Sequence, residues 1–138
     1  MEKIINVFTD GGARGNPGPA AIGIVAYDGQ KEIFRVARCI GQATNNVAEY
    51  TALDFALDEL LKRKISHSVV VINMDSELVV KQLNKEYRVK DKQLRILYDR
   101  VTAKSSKFDD IKYNHIRRVD NKLADKLVNN ALDNPRRH

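Results

Sequence analysis

Acidic residues stand at four places where the sequence predicts the end of a strand or the start of a helix: Asp10, Glu49, Asp75 and Asp125. Asp10 closes a short apolar segment and precedes two glycines, which suits a simple turn. Asp75 follows the apolar segment 69–74, and Asp125 falls early in an amphipathic segment, where the helix dipole favours an acid. Turn and capping chemistry is therefore an adequate explanation for these three acids taken singly.

Glu49 is harder to explain in this way. It shares one helical stripe with Leu53, Ala56 and Leu60, so it would be the first residue on the buried face of its helix. An unpaired carboxylate on a buried face is costly. A capping box from Asn46 to Glu49 is the ordinary alternative.

The four acids together indicate a metal site in a basic chain. Acids gathered at one rim of a sheet repel one another, and divalent cations are the usual reason to tolerate this. Carboxylate ligands suit Mg²⁺ or Mn²⁺. Lys and Arg number 24 against 18 Asp and Glu, a net charge of +6 that favours a polyanionic partner. This combination predicts a phosphodiester hydrolase.

The composition excludes several other classes of protein. One cysteine, Cys39, excludes an internal disulfide and a thiolate zinc cluster, and the three histidines have no metal-ligand spacing. The N-terminal residues lack a signal-peptide pattern, and no apolar run is long enough to span a bilayer. We therefore expect one domain, residues 1–138, in the cytoplasm and away from membranes.

The hydrophobic pattern predicts an α/β domain. Three strands joined by short turns should form an antiparallel meander, the first of them stopped by Asp10 and its glycines. The period then changes to that of helices around one continuous apolar strand, typical of a parallel sheet. The predicted strands are 3–10, 20–29, 31–41, 68–75 and 110–116, and the predicted helices are 46–64, 76–84, 94–103 and 121–132.

Four segments resemble the signature blocks of type 1 ribonuclease H, in order and in spacing. They are FTDGGARGNPGPAAIG (8–23), TNNVAEYTALDFAL (44–57), NMDSELVVKQLN (73–84) and NKLADKLVNNAL (121–132). The resemblance implies the ribonuclease H fold, a five-stranded mixed sheet of three antiparallel strands and then two parallel ones, flanked by helices. It also implies cleavage of the RNA strand of an RNA–DNA hybrid. We expect the chain to act as a monomer.

The resemblance also implies roles for individual residues. Asp10, Glu49, Asp75 and Asp125 match the catalytic acids, which would hold two Mg²⁺ or Mn²⁺ ions around the scissile phosphate. The glycines after Asp10 would leave the backbone bare for a duplex. The residues that match hybrid-contacting positions are Asn16, Asn45 and Asn46, near the RNA 2′-hydroxyls, and Thr44, at a phosphate of the DNA strand. Turns and helix caps are the alternative for the asparagines.

The chain departs from many members of this family at three places. The loop 116–125 contains Arg117 and Arg118 but lacks the histidine found there in many bacterial members, and Glu77 stands where several relatives have glutamine. The chain has no tryptophan, and the basic segment 81–95 replaces a Trp-bearing protrusion, as in compact archaeal and Gram-positive-type variants. That segment is either a phosphate-contacting surface or a solvated helical face.

Two other functions fit parts of the sequence. One is a nuclease that acts mainly on double-stranded RNA, since an A-form duplex presents similar 2′-hydroxyls. The other is a hybrid-binding module without catalysis. The retention of four mutually repelling acids disfavours the binding module, because binding alone gives no reason to keep them.

Overall fold

A computed structural model describes residues 3–137. Its five strands form one sheet in the order β3-β2-β1-β4-β5. The strands are β1 (Ile4–Ala13), β2 (Gly18–Asp28), β3 (Lys31–Ala43), β4 (Val69–Met74) and β5 (Asp110–His115). The helices are α1 (Asn45–Lys62), α2 (Glu77–Leu83), α3 (Lys92–Ser105) and α4 (Lys122–Asp133), with short 3₁₀ turns at Arg118–Asp120 and Pro135–Arg137. None of these helices is long and apolar enough to cross a membrane.

The central strand β1 joins the antiparallel and parallel halves of the sheet. It pairs antiparallel with β2, which pairs antiparallel with β3, and it pairs parallel with β4, which pairs parallel with β5. This arrangement confirms the predicted fold class. The predicted end of the first strand at Asp10 is wrong, because pairing with β2 continues through both glycines to Ala13 opposite Ala20.

Helices cover the sheet on its two faces. The main core lies between one face and α1, α2 and α3, with Ile22 and Ile24 of β2 among its buried residues. Successive side chains of a strand point to opposite faces, so Ala21 of β2 points the other way. There it packs against Val128 and Ala131 of α4.

Two glycines let helices touch the strands directly. A Cβ atom at Gly11 would lie 2.2 Å from the carbonyl oxygen of Ala48 in α1, and one at Gly23 would lie 2.3 Å from that of Ala124 in α4. The space at Gly11 is therefore filled by α1. The lack of a side chain at Gly11 therefore serves the packing of helix on strand, while the approach of a duplex to the glycines after Asp10 stays a prediction.

Two side chains cap helices that begin beside the predicted site. Thr44 Oγ1 accepts from Val47 N at 3.2 Å at the start of α1, and Ser76 Oγ accepts from Val79 N at 3.4 Å at the start of α2. The Asn46–Glu49 capping box and a capping role for Asp75 are therefore both wrong. The carboxylates of Glu49 and Asp75 therefore do not cap these helices.

Candidate active site

Three of the predicted acids converge at the centre of the sheet. One carboxylate oxygen from each of Asp10, Glu49 and Asp75 lies within 4.8 Å of the other two. Asp10 and Asp75 meet because β1 and β4 are parallel neighbours and both run toward the same edge. Glu49 reaches them because α1 touches β1 at Gly11, whose amide donates to Glu49 Oε1 at 2.7 Å.

Asp125, from the first turn of α4, lies at the border of this group. It lines the same cleft, and its carboxylate helps to raise the pKa of Asp10. Arg118 Nη2 lies 3.8 Å from Asp125 Oδ1. The structure thus brings all four predicted acids to one place, three of them closely and Asp125 beside them.

Burial and mutual repulsion raise the pKa values of these acids. Burial, followed by the charges of Asp75 and Asp125, raises the pKa of Asp10 to about 8. Burial and the charge of Asp10 raise the pKa of Glu49 well above its usual value. Burial also raises the pKa of Asp75, although Arg118 and Asn121 oppose this shift. Full ionisation is therefore unfavourable unless a cation compensates it.

The donor set fits a hard divalent cation. Carboxylate oxygens are the ligands that Mg²⁺ and Mn²⁺ prefer, and the three carboxylates are close enough to share an ion. A positive charge placed among them would relieve the repulsion that raises the pKa values of Asp10 and Glu49. These residues therefore can hold the metal that their types predict.

The acids lie at the base of an open cleft of about 440 Å³. Arg14 and Arg118 line it together with Asn45 and Asn129. Arg14 is tied to the end of α4 by an ion pair with Asp133 at 2.7 Å. An anionic ligand would therefore meet arginine side chains at the walls and the carboxylates at the base.

The four predicted substrate-binding residues lie in or beside this cleft, Asn16 in the β1–β2 turn and the other three at the start of α1. Asn16 Oδ1 accepts from Asn45 N, and Asn45 Oδ1 accepts from Ala13 N, both at 2.9 Å. Asn16, Thr44, Asn45 and Asn46 line a second cleft that reaches Leu94 at the start of α3. The amide oxygens of Asn16 and Asn45 thus fix the β1–β2 turn against α1, as the turn-and-cap alternative supposes. Contact with a substrate remains a prediction.

Asn121 is a site residue that the sequence analysis missed. It is 1% exposed, its Nδ2 donates to Thr9 O at 2.9 Å, and its side-chain amide lowers the pKa of the Asp75 carboxyl group. Within residues 3–137, its Oδ1 and Thr9 Oγ1 are buried without a hydrogen-bond partner. An asparagine directly before a helix looks like an ordinary N-cap, yet this side chain makes no capping bond.

Known proteins are similar to this chain in sequence. The family described as "Reverse transcriptase-like" matches residues 8–131. The bifunctional protein Rv2228c of Mycobacterium tuberculosis is 42% identical over 129 residues, which are 92% of this chain and 35% of that protein. Ribonuclease HI of Halobacterium salinarum is 39% identical over 130 residues, which are 94% of this chain and 64% of that protein. The chain therefore spans less than two thirds of either relative.

Solved structures agree with this similarity. The crystal structure of ribonuclease H1 from Halobacterium salinarum matches with a TM-score of 0.89 and 38% identity, over 95% of this chain and 98% of that one. The structure of LC11 ribonuclease H1 in complex with an RNA/DNA hybrid matches with a TM-score of 0.91 and 40% identity, over 95% and 98% of the two chains. Over the residues compared, this chain belongs to the type 1 ribonuclease H family, in its compact form.

Proposed function

We propose that this chain is a metal-dependent endonuclease that hydrolyses the RNA strand of RNA–DNA hybrids. The observation that carries the proposal is the convergence of the carboxylates of Asp10, Glu49 and Asp75 within 4.8 Å at the base of an open cleft. The raised pKa values of these acids support a cationic partner. Family membership supports the reaction class.

The four acids have distinct places in this proposal. Asp10, Glu49 and Asp75 would hold Mg²⁺ or Mn²⁺, with Asp125 completing a site for two ions. When bound, the metal supplies activation of the attacking water and stabilisation of the leaving oxygen. Gly11 keeps Glu49 Oε1 in place through its amide, and the Asn121 side chain favours the charged form of Asp75 by lowering its pKa. The metal ligands are thereby preorganised.

The surroundings of the acids suit a polyanionic duplex. Arg14 and Arg118 line the cleft, and the basic segment 81–95 lies on the α3 side of the protein. We assign hybrid contacts to four residues in the second cleft: Asn16, Thr44, Asn45 and Asn46. Because every acid of the site comes from one chain, we also propose that the protein acts as a monomer. Cytoplasmic location remains part of the proposal.

The test compares three labelled 20-base-pair duplexes, an RNA–DNA hybrid, a double-stranded RNA and a double-stranded DNA, with Mg²⁺, with Mn²⁺ and with chelator. We expect cleavage of the RNA strand of the hybrid, and only when metal is present. A hybrid whose RNA carries 2′-O-methyl groups should resist cleavage at the modified positions. The Asp75→Asn protein, prepared in parallel, controls for contaminating nucleases.

Two results would contradict the proposal. Faster cleavage of double-stranded RNA than of the hybrid would identify the protein as a nuclease that acts mainly on double-stranded RNA. Tight hybrid binding without cleavage in either metal would identify a binding module.

A further inference from the structure

A buried pair of polar side chains begins one residue beyond Glu49. Tyr50 of α1 is 0% exposed, and its hydroxyl donates to Gln82 Oε1 of α2 at 2.6 Å. Gln82 is 4% exposed, and its Nε2 donates to the carbonyl oxygen of Arg88 at 3.2 Å. A continuous line of hydrogen bonds thus connects the helix that carries Glu49 to the segment between α2 and α3.

That segment, residues 84–91, which we call the basic loop, presents cations to solvent. Lys85, Arg88 and Lys90 are exposed. With Arg95 they line a cleft that also includes the rings of Tyr87 and Tyr98 and the side chain of Gln82. Cations beside aromatic rings suit the phosphate backbone of a nucleic acid. Gln82 therefore lines the same cleft as the cations of the loop.

Few hydrogen bonds fix the backbone of the basic loop, although Val89 packs against the main core. At its start, the amides of Glu86 and Tyr87 donate to Lys81 O at 2.8 and 3.2 Å. At its end, Asp91 caps α3. Between these points, the bond from Gln82 to Arg88 O is the one hydrogen bond to residues 88–90 in the described part of the chain. Gln82, together with the packing of Val89 against the main core, therefore holds the middle of the loop.

The polar character of Tyr50 and Gln82 indicates that this pair positions the basic loop rather than stabilises the folded state. Phenylalanine and methionine would fill the same space without burying a hydroxyl and an amide. A satisfied buried pair contributes little net free energy, whereas a hydrogen bond fixes direction and distance. We propose that Gln82, oriented by Tyr50, is a positioning residue that holds the cations of the basic loop in register with the four acids, so that both engage one hybrid. This inference rests on the proposed function and adds a determinant of substrate affinity.

The test uses two conservative variants, Gln82→Met and Tyr50→Phe, measured for KM, kcat and hybrid binding in chelator at several salt concentrations. We expect KM for the hybrid to rise roughly five- to tenfold, the effect of losing one hydrogen bond. The value of kcat should stay within about twofold, because the acids are unchanged. The slope of log Kd against log salt should become shallower by about one, as expected when one phosphate contact is lost.

Two further proteins separate a positioning role from a structural one. Thr51→Val removes the hydroxyl that donates to Val47 O in the neighbouring turn of α1, and it should leave KM and the salt slope unchanged. In a Lys85→Ala/Arg88→Ala background, Gln82→Met should raise KM no further, because the cations through which it acts are gone. Tyr50→Phe keeps the volume of the ring and carries the test if the Met variant does not fold.

Three results would overturn the inference. The first is a wild-type KM and salt slope in both Gln82→Met and Tyr50→Phe. The second is a fall in kcat with KM unchanged. The third is an undiminished effect of Gln82→Met in the Lys85→Ala/Arg88→Ala background. Failure of the wild type to cut hybrid would instead refute the proposed function, while the salt slope measured in chelator still decides on Gln82.

Discussion

Neutralising Asp10 should stabilise the folded protein when metal is absent. This carboxyl group is 8% exposed, and burial with the charges of Asp75 and Asp125 raises its pKa from 3.8 to about 8. Because the folded pKa is the higher one, ionisation disfavours the folded state. The cost is absent below about pH 4, grows as the pH rises and becomes constant above about pH 8. Asp10→Asn removes it.

The two pKa values set the size of the effect. A pH of 7 lies about three units above the unfolded pKa of 3.8 and below the folded pKa of about 8. This difference corresponds to a cost of about 4 kcal/mol, at about 1.4 kcal/mol per unit. Part of the repulsion is shared with Glu49, and the asparagine amide must still be buried. We therefore expect a net gain of about 1–3 kcal/mol, or a Tm higher by about 4–12 °C for a chain of this size.

Thermal melts followed by circular dichroism between pH 4 and 9 provide the assay, in chelator and with Mn²⁺. Asp10→Asn should melt above wild type at pH 7 in chelator and close to it at pH 4, and it should gain less from Mn²⁺. Asp54→Asn is the matched control: Asp54 is also 8% exposed, but Lys104 Nζ lies 2.6 Å from it, so this variant should melt lower than wild type. If Asp10→Asn melts lower in chelator and responds to Mn²⁺ as wild type does, Asp10 is structural and the electrostatic reasoning fails.

Three further predictions concern the site and the packing that forms it. Asp75→Asn should lower kcat for the hybrid by orders of magnitude in a single-turnover assay; wild-type turnover would refute the site assignment. Asn121→Ala should weaken Mn²⁺ binding roughly 10–100-fold by calorimetry, because the Asp75 carboxylate loses a polar neighbour that favours its charged form; unchanged affinity would make Asn121 purely structural. Gly11→Ala should lower the free energy of unfolding in urea by about 2–4 kcal/mol, since its Cβ would overlap the Ala48 carbonyl, whereas Gly12→Ala, with Val128 Cγ1 at 3.6 Å, should cost far less.

Much of this architecture could be predicted from the sequence because local patterns carry it. Alternation and helical spacing indicated nine elements in the right order, and the helical stripe through Glu49 predicted its burial. The end of β1 could not be predicted in this way. Asp10-Gly11-Gly12 has the local chemistry of a turn, but pairing with β2 and the contact with Ala48 continue the strand, and both depend on distant segments.

Asn121 and Gln82 were missed for a related physical reason. Each is a single polar residue whose task is set by a backbone carbonyl far along the chain or in a neighbouring loop, Thr9 O for Asn121 and Arg88 O for Gln82. Neither periodicity nor spacing reveals where such a carbonyl will lie. Sequence patterns predict groups that share an element, whereas these contacts arise only once separate elements have docked.

The position of β1 between β2 and β4 also bears on the order of folding. Pairing of β1 with β2 and of β2 with β3 needs only short turns, whereas pairing of Ile4 with Val69 must close the chain around α1. Asp10 and Asp75 meet only when this long closure forms, so their repulsion arises late in folding. Interactions that form late change the unfolding rate more than the folding rate. We therefore expect the acids to shorten the lifetime of the native state, and a bound cation to lengthen it, with little effect on how fast the chain folds.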